Sequence, residues 1–158
     1  MRLPHNSMSL PLAKYFSQLG SRSLQSISMT KRTVGFSSRI VEINTDSGYA
    51  VVEAGINFDK LTTALREKGF RCSIPTAPGG SAVVGNYLSR PTGSLCNRHL
   101  DLIVDLEVVL PDGTVFNTGS SQFPHAGSHM RYGPHPDLAG LFTCAYGTMG
   151  VVTKAFLK

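Results

Sequence analysis

DLIVDLEVVLPDGTVFNTG, residues 101–119, is the stretch whose reading decides the fold. Leu102, Val104, Leu106, Val108 and Leu110 recur at every second position, so in an extended chain they share one face while Asp105 and Glu107 point from the other. Pro111, Asp112 and Gly113 have turn chemistry, and TVFNTG beyond them reads as a returning strand. The expectation is an antiparallel hairpin with one buried face and Leu106 in the core.

Upstream, RIVEIN (39–44) and YAVVEAG (49–55) are β-branched apolar runs separated by the turn-forming TDSG, a second strand pair. Asn57 is placed to cap a helix whose apolar residues Phe58, Leu61 and Leu65 recur at helical spacing, with Gly69 as its stop. Downstream, a loop rich in Gly, Pro and His spans 119–136, and Asp137 is placed to cap a short helix through Phe142. YGTMGVVTKAFL then turns on two glycines into a final strand. Strands mixed with a few covering helices predict an α+β fold built on a mostly antiparallel sheet.

At 158 residues the chain has the length of about one domain, and 41% hydrophobic with 16% charged residues fits a globular protein. No apolar run approaches the roughly 18 to 20 residues of a membrane span. The net charge of +5 is unevenly spread. Arg2, Lys14, Arg22, Lys31, Arg32 and Arg39 lie in residues 1–41 without a single acid, leaving nine basic residues against ten acidic ones beyond. Basicity confined to a leader, with no aromatic interleaving, argues against nucleic acid. Residues 1–32, Ser-rich and acid-free, read either as an organelle transit peptide or as a disordered extension, so the location is cytoplasmic or, with a transit peptide, mitochondrial. Cys72, Cys96 and Cys144 form no paired motif and read as reduced, buried thiols. His125, His129 and His135 share one loop and read as exposed side chains, so no metal site is assigned.

The chemistry is expected at SIPTAPGGSAVVGN, residues 73–86. Gly79 and Gly80 can adopt positive φ and expose a bare backbone, and successive N–H groups in such a turn form a concave anion site. Ser81 adds a hydroxyl, a short helix starting near Ala82 would aim its positive end at the same place, Gly85 would permit close approach, and Asn86 can hydrogen-bond a polar group. A plain tight turn is the competing reading, because the stretch lacks both the Walker lysine and the G-x-G-x-x-G spacing. No serine sits in a nucleophile elbow, and no catalytic residue is assigned.

Three segments in order, YAVVEAGINFDKLTTALREKGF, then APGGSAVVGN with DLEVVLPDGTVFNTG, then GPHPDLAGLFTCAYGTMGVVTKAFL, resemble the FAD-binding domain of the vanillyl-alcohol oxidase and p-cresol methylhydroxylase flavoprotein family. D-lactate dehydrogenases and glycolate oxidases belong to the same family. The resemblance covers about residues 39–158 and implies the second of two α+β lobes that hold FAD between them, with the first lobe and the substrate-binding cap absent from this sequence. It implies that Pro78, Gly79, Gly80 and Ser81 run beside the FAD diphosphate and ribityl chain, continued by Val84, Gly85 and Asn86. It further implies that Gly147, Gly150, Val151 and Val152 form the wall at the adenosine end, where Val151 and Val152 are equally compatible with core packing. Many relatives read SEGT where this chain has Ala145, Tyr146, Gly147 and Thr148, so no acid-dependent contact is assigned there.

The resemblance implies a flavin-dependent oxidoreductase oxidising a hydroxylated substrate, either a 2-hydroxy acid or a para-substituted phenol. VGN and GVVTK lean to the phenol branch and GPHPDLAGLF to the hydroxy-acid branch. The implied partners are FAD and a complementary lobe or cap subunit. The alternative is a non-catalytic remnant or interaction module that keeps the lobe fold.

Overall fold

The computed structural model describes residues 37–73, 77–89, 102–127, 130–132 and 136–158. The basic leader, Cys96, His129 and His135 lie outside the described residues. Five strands form one antiparallel sheet: β1 (Ile40–Asn44), β2 (Tyr49–Glu53), β3 (Ile103–Val109), β4 (Val115–Asn117) and β5 (Val151–Leu157), in the order β1-β2-β5-β3-β4. Among the described residues, two helices, α1 (Phe58–Glu67) and α2 (Val83–Leu88), and two 3₁₀ turns, Ser120–Gln122 and Ala139–Phe142, join the sheet in an α+β architecture.

Both strand pairs form as expected. The turn before β2 takes Gly48 to φ +67°, and the hairpin between β3 and β4 takes Gly113 to φ +87°, conformations that glycine adopts without a Cβ penalty. Asn57 caps α1 through its side-chain oxygen, which accepts from the Lys60 N–H at 2.9 Å. Phe58, Leu61 and Leu65 form the buried stripe of α1, against Ala50, Val52, Leu106, Ala155 and Leu157 in one core cluster. Leu61 and Leu106 are about 1% and 0% exposed, so the central expectation for both holds.

The register of β3 corrects the expected alternation. Ile103 pairs with Leu157 and Asp105 with Phe156, so Val104 is an extra residue, a bulge that shifts the facing of everything before it by one. Ile103, rather than Val104, therefore joins Leu106 and Val108 in the core cluster. The expectation of one buried face also fails: Val104, Asp105 and Val109 are all buried, so β3 is covered on both sides. Ile103 and Val109 are apolar members of the opposite parity, and their presence is the sequence trace of this two-sided burial.

Two buried carboxylates hold the sheet together. Glu53 on β2 is clasped by Arg39, whose guanidinium lies 2.8 Å from Oε1 and whose backbone N–H donates to Oε2 at 2.9 Å. Burial pushes the Glu53 carboxyl up, but the hydrogen bonds from Arg39 and Ser37 and the Arg39 charge more than reverse this and hold it below the usual range. Asp105 accepts from the N–H groups of Leu106, Thr118 and Gly119 at 2.7, 2.9 and 2.6 Å and from the Ser121 hydroxyl. It thereby ties the chain leaving β4 to the centre of β3.

Before β5, Asp137 accepts from the Gly140 N–H at 3.1 Å and pairs with Arg131 at 2.9 Å. It thus secures the start of the turn as expected, although the turn is 3₁₀ and Leu138 occupies its cap position. Cys72 is half-buried, but Cys144 is exposed, against the expectation of buried thiols. Cys144 takes φ +57° so that its N–H can donate to the Leu88 carbonyl at 2.7 Å, and this main-chain constraint leaves the side chain in solvent.

Candidate functional site

The glycine-rich stretch lies across the start of α1. Its carbonyls accept from the first N–H groups of that helix: Ser81 O from Phe58 at 3.2 Å and Gly79 O from Asp59 at 3.0 Å. The Val83 N–H donates to Ile56 O at 2.9 Å, completing a short antiparallel bridge between Asn57 and Ala82. The helix donors that would otherwise be orphaned are therefore spent on the loop. In return the loop has a fixed polarity. Its carbonyls face α1, while the N–H groups of Gly79, Gly80 and Ala82 meet no acceptor among the described residues.

Helix α2 begins directly after this bridge, as the sequence suggests. Val83, Val84 and Tyr87 are buried, and the Tyr87 ring meets Phe58 edge-on with centroids 5.6 Å apart, which locks the two helices. The Tyr87 hydroxyl donates to the Ser73 carbonyl and lies 3.2 Å from the Cys72 sulfur. Burial raises both groups above their ordinary values, so each stays protonated at neutral pH. A small cavity of about 50 Å³ lies beside them, with Leu61, Leu65 and Leu157 among its walls, but none of its walls belongs to 78–81 or 147–152.

The two glycines of the loop differ in what keeps them bare. Neither Gly79 nor Gly80 has positive φ, which corrects the expected left-handed turn. A Cβ on Gly79 would lie 2.6 Å from Asp59 Cγ, so close approach of that carboxylate explains Gly79 within the fold itself. Among the described residues, a Cβ on Gly80 or on Gly85 would meet nothing within 4 Å. Gly85 sits inside α2, where glycine is less favourable than alanine by roughly 0.5–1 kcal/mol. Among the described residues nothing requires glycine at either place. Pro78 is exposed and Ser81 half-buried on the same stretch, while the Asn86 side-chain oxygen is buried with no hydrogen-bond partner among the described residues. A bare backbone and N–H donors that meet no acceptor among the described residues suit a polar ligand laid along the loop, and FAD, whose hydroxyl, phosphate and carbonyl oxygens are acceptors, fits that set.

The second expected segment is explained by packing. Gly147 takes φ +79°, and Gly150 takes φ +157° with Val108 Cγ1 and Val109 O each 3.0 Å from where a Cβ would stand. Val151 is buried and Val152 packs on the core. Sequence reasoning missed Asp59, which it did not single out, and the role of Asp105. The signal for Asp105 is an acid in the middle of an apolar strand, followed at 118–119 by Thr-Gly, where a Cβ at Gly119 would fall 2.8 Å from Asp105 Cγ.

Comparison with known proteins fits this geometry. A family profile described as FAD binding domain matches residues 25–119. The chain belongs to this family of FAD binding domains. It is the vanillyl-alcohol oxidase and p-cresol methylhydroxylase type expected from the motifs, and its cofactor is FAD. The chain is 36% identical over 122 residues to 1'-carboxy-chondrochloren decarboxylase of Chondromyces crocatus, covering 74% of this chain and 22% of that protein. It is 31% identical over 124 residues to the flavoprotein subunit of 4-cresol dehydrogenase (hydroxylating) of Pseudomonas putida, covering 74% and 23%. Among solved structures, 4-ethylphenol oxidase from Gulosibacter chungangensis superposes with a TM-score of 0.66 at 30% identity, covering 77% of this chain and 24% of that one. The chain thus spans about a quarter of the length of the relatives it matches. Among the described residues no helix is long and apolar enough to cross a membrane.

Proposed function

We propose that this chain is the second lobe of the FAD-binding domain of a flavin-dependent oxidoreductase, and that residues 78–86 form the wall against which the cofactor lies. The observation that carries this reading is the pair Gly80 and Gly85, which no described residue requires to be glycine, beside N–H donors that meet no acceptor among the described residues. Pro78, Gly79, Gly80 and Ser81 shape the wall, Val84 anchors it from below, and Gly85 and Asn86 extend it. Gly147, Gly150, Val151 and Val152 act behind it as scaffold and supply backbone at the far end of the cofactor.

Bound FAD supplies a two-electron acceptor for oxidation of a C–H bond bearing a hydroxyl or phenol group. The residues of this chain bind and orient it, and none is assigned a proton transfer. The substrate class is a para-substituted phenol or a 2-hydroxy acid. The names of the cresol- and ethylphenol-oxidising relatives favour the phenol. A complementary lobe or cap subunit fits the exposed Leu141, Tyr146 and Met149 near the second segment, 53%, 60% and 46% accessible.

Equilibrium titration of the purified chain with FAD tests the reading. A few hydrogen bonds, each contributing roughly 0.5–1.5 kcal/mol net, must offset about 4–15 kcal/mol of lost ligand freedom, so micromolar affinity at best is expected. Gly80→Val has room to fold and should abolish binding with an unchanged circular dichroism spectrum. Binding indifferent to that change would overturn the assignment of the loop.

A further inference from the structure

We infer that Asp59 sets the charge selectivity of the glycine loop, so that the loop takes a hydroxyl-bearing, uncharged part of the flavin dinucleotide and turns its phosphates aside. This rests on the loop being the flavin wall proposed above. The Asp59 N–H donates to Gly79 O at 3.0 Å, and its carboxylate packs against Gly79 on the side where a side chain would project, 2.8 Å from the Cβ position at Oδ2. The backbone of the residue is therefore tied to the loop, and its carboxylate rests beside it. The carboxylate is exposed, and among the described residues it accepts no hydrogen bond and makes no ion pair.

The loop consequently offers two kinds of unfilled valence. Among the described residues the N–H groups of Gly80 and Ala82 meet no acceptor and the Asp59 carboxylate meets no donor. A phosphate at neutral pH has acceptors only, and it would add a second negative charge beside Asp59. A hydroxyl accepts from an N–H and donates to a carboxylate at once. The ribityl chain and the adenosine ribose both carry such hydroxyls, and the experiment separates them.

The test measures binding of riboflavin, FMN, adenosine and AMP to the wild-type chain, Asp59→Asn and Gly80→Val by ligand-observed NMR. Asp59→Asn preserves size and removes charge, and Asp59→Ala serves if the amide disturbs the loop. In wild type, the phosphate-free member of whichever pair occupies the loop should bind at least as well as its phosphate ester. Asp59→Asn should then improve the ester relative to its parent about fivefold, because only the ester feels the lost repulsion. Riboflavin binding lost in Gly80→Val identifies the ribityl chain, and adenosine binding lost identifies the ribose. Binding that Gly80→Val abolishes, but whose ester-to-parent ratio Asp59→Asn leaves unchanged, would overturn the selectivity role while the wall stands. Binding untouched by Gly80→Val, or no binding at all, would sink the wall and the selectivity role together.

Discussion

The stretch 78–86 and the stretch 144–152 look alike in sequence, each setting two glycines ahead of a Val-Val pair. They differ in what their glycines are for. In the second, Gly147 and Gly150 occupy backbone conformations and spaces that the protein itself imposes, and the valines behind them complete the sheet. In the first, among the described residues, only Gly79 answers to a neighbour, the Asp59 carboxylate, while Gly80 and Gly85 meet none and keep negative φ or extended conformations. A glycine that the fold explains says nothing about a ligand. One that the fold leaves unexplained points outward.

The largest effect that sharpens this contrast belongs to Gly150→Ala. The strained φ and the overlap with Val108 and Val109 together should cost about 2–5 kcal/mol, read as a lowered urea midpoint. A loss under 1 kcal/mol would erase the distinction between the two stretches.

Gly79→Ala should cost less, about 0.5–1.5 kcal/mol, because the obstruction is the far end of an exposed side chain that can swing to another rotamer. Pairing it with Asp59→Ala should recover most of that loss, and strict additivity in the double-mutant cycle would show that the two residues do not touch.

Gly80→Ala and Gly85→Ala should each stabilise the flavin-free chain by about 0.4–1 kcal/mol, since neither position needs glycine and alanine narrows the unfolded ensemble. Weaker FAD binding alongside higher stability is the expected signature. A destabilised Gly85→Ala would mean that the short helix has an internal need for glycine.

The smallest effect is a pH dependence in the turn that leads to the second stretch. Burial raises the Asp137 carboxyl, but Arg131 and the Gly140 N–H more than compensate and leave it below its ordinary value of 3.8. Its contribution is therefore fully present above that value and is lost as the pH falls through the depressed one. Amide exchange at Gly140 should accelerate in acid relative to Gly80, and Asp137→Asn should flatten that difference.

Much of the fold was legible because its signals are local. The Asn57 cap, the Phe58, Leu61 and Leu65 stripe and the Pro-Asp-Gly hairpin each depend on a few neighbouring residues. The facing of β3 was not, because Val104 and Ile103 are equally apolar and only the pairing with β5 decides which one bulges. The candidate site was legible as a place but not as a geometry. PGGS announces a bare backbone, yet whether it curls to positive φ or lies flat against α1 depends on Phe58 and Asp59, some twenty residues earlier, whose N–H groups reach for its carbonyls. Cys144 was misread because its exposure follows from a main-chain bond to Leu88, and side-chain hydrophobicity has no bearing on that bond.

The strand order has a kinetic meaning. β5 sits between β2 and β3, so the β1–β2 and β3–β4 hairpins share no hydrogen-bonded ladder until residues 151–157 arrive to bridge them. A ribosome adding roughly 5–20 residues per second would release the first hairpin several seconds before its neighbour strand exists. During that interval the β2 edge, with Ala50, Val51 and Val52, is a nascent surface open to chaperones, and the protein becomes a sheet in a single late event of strand insertion.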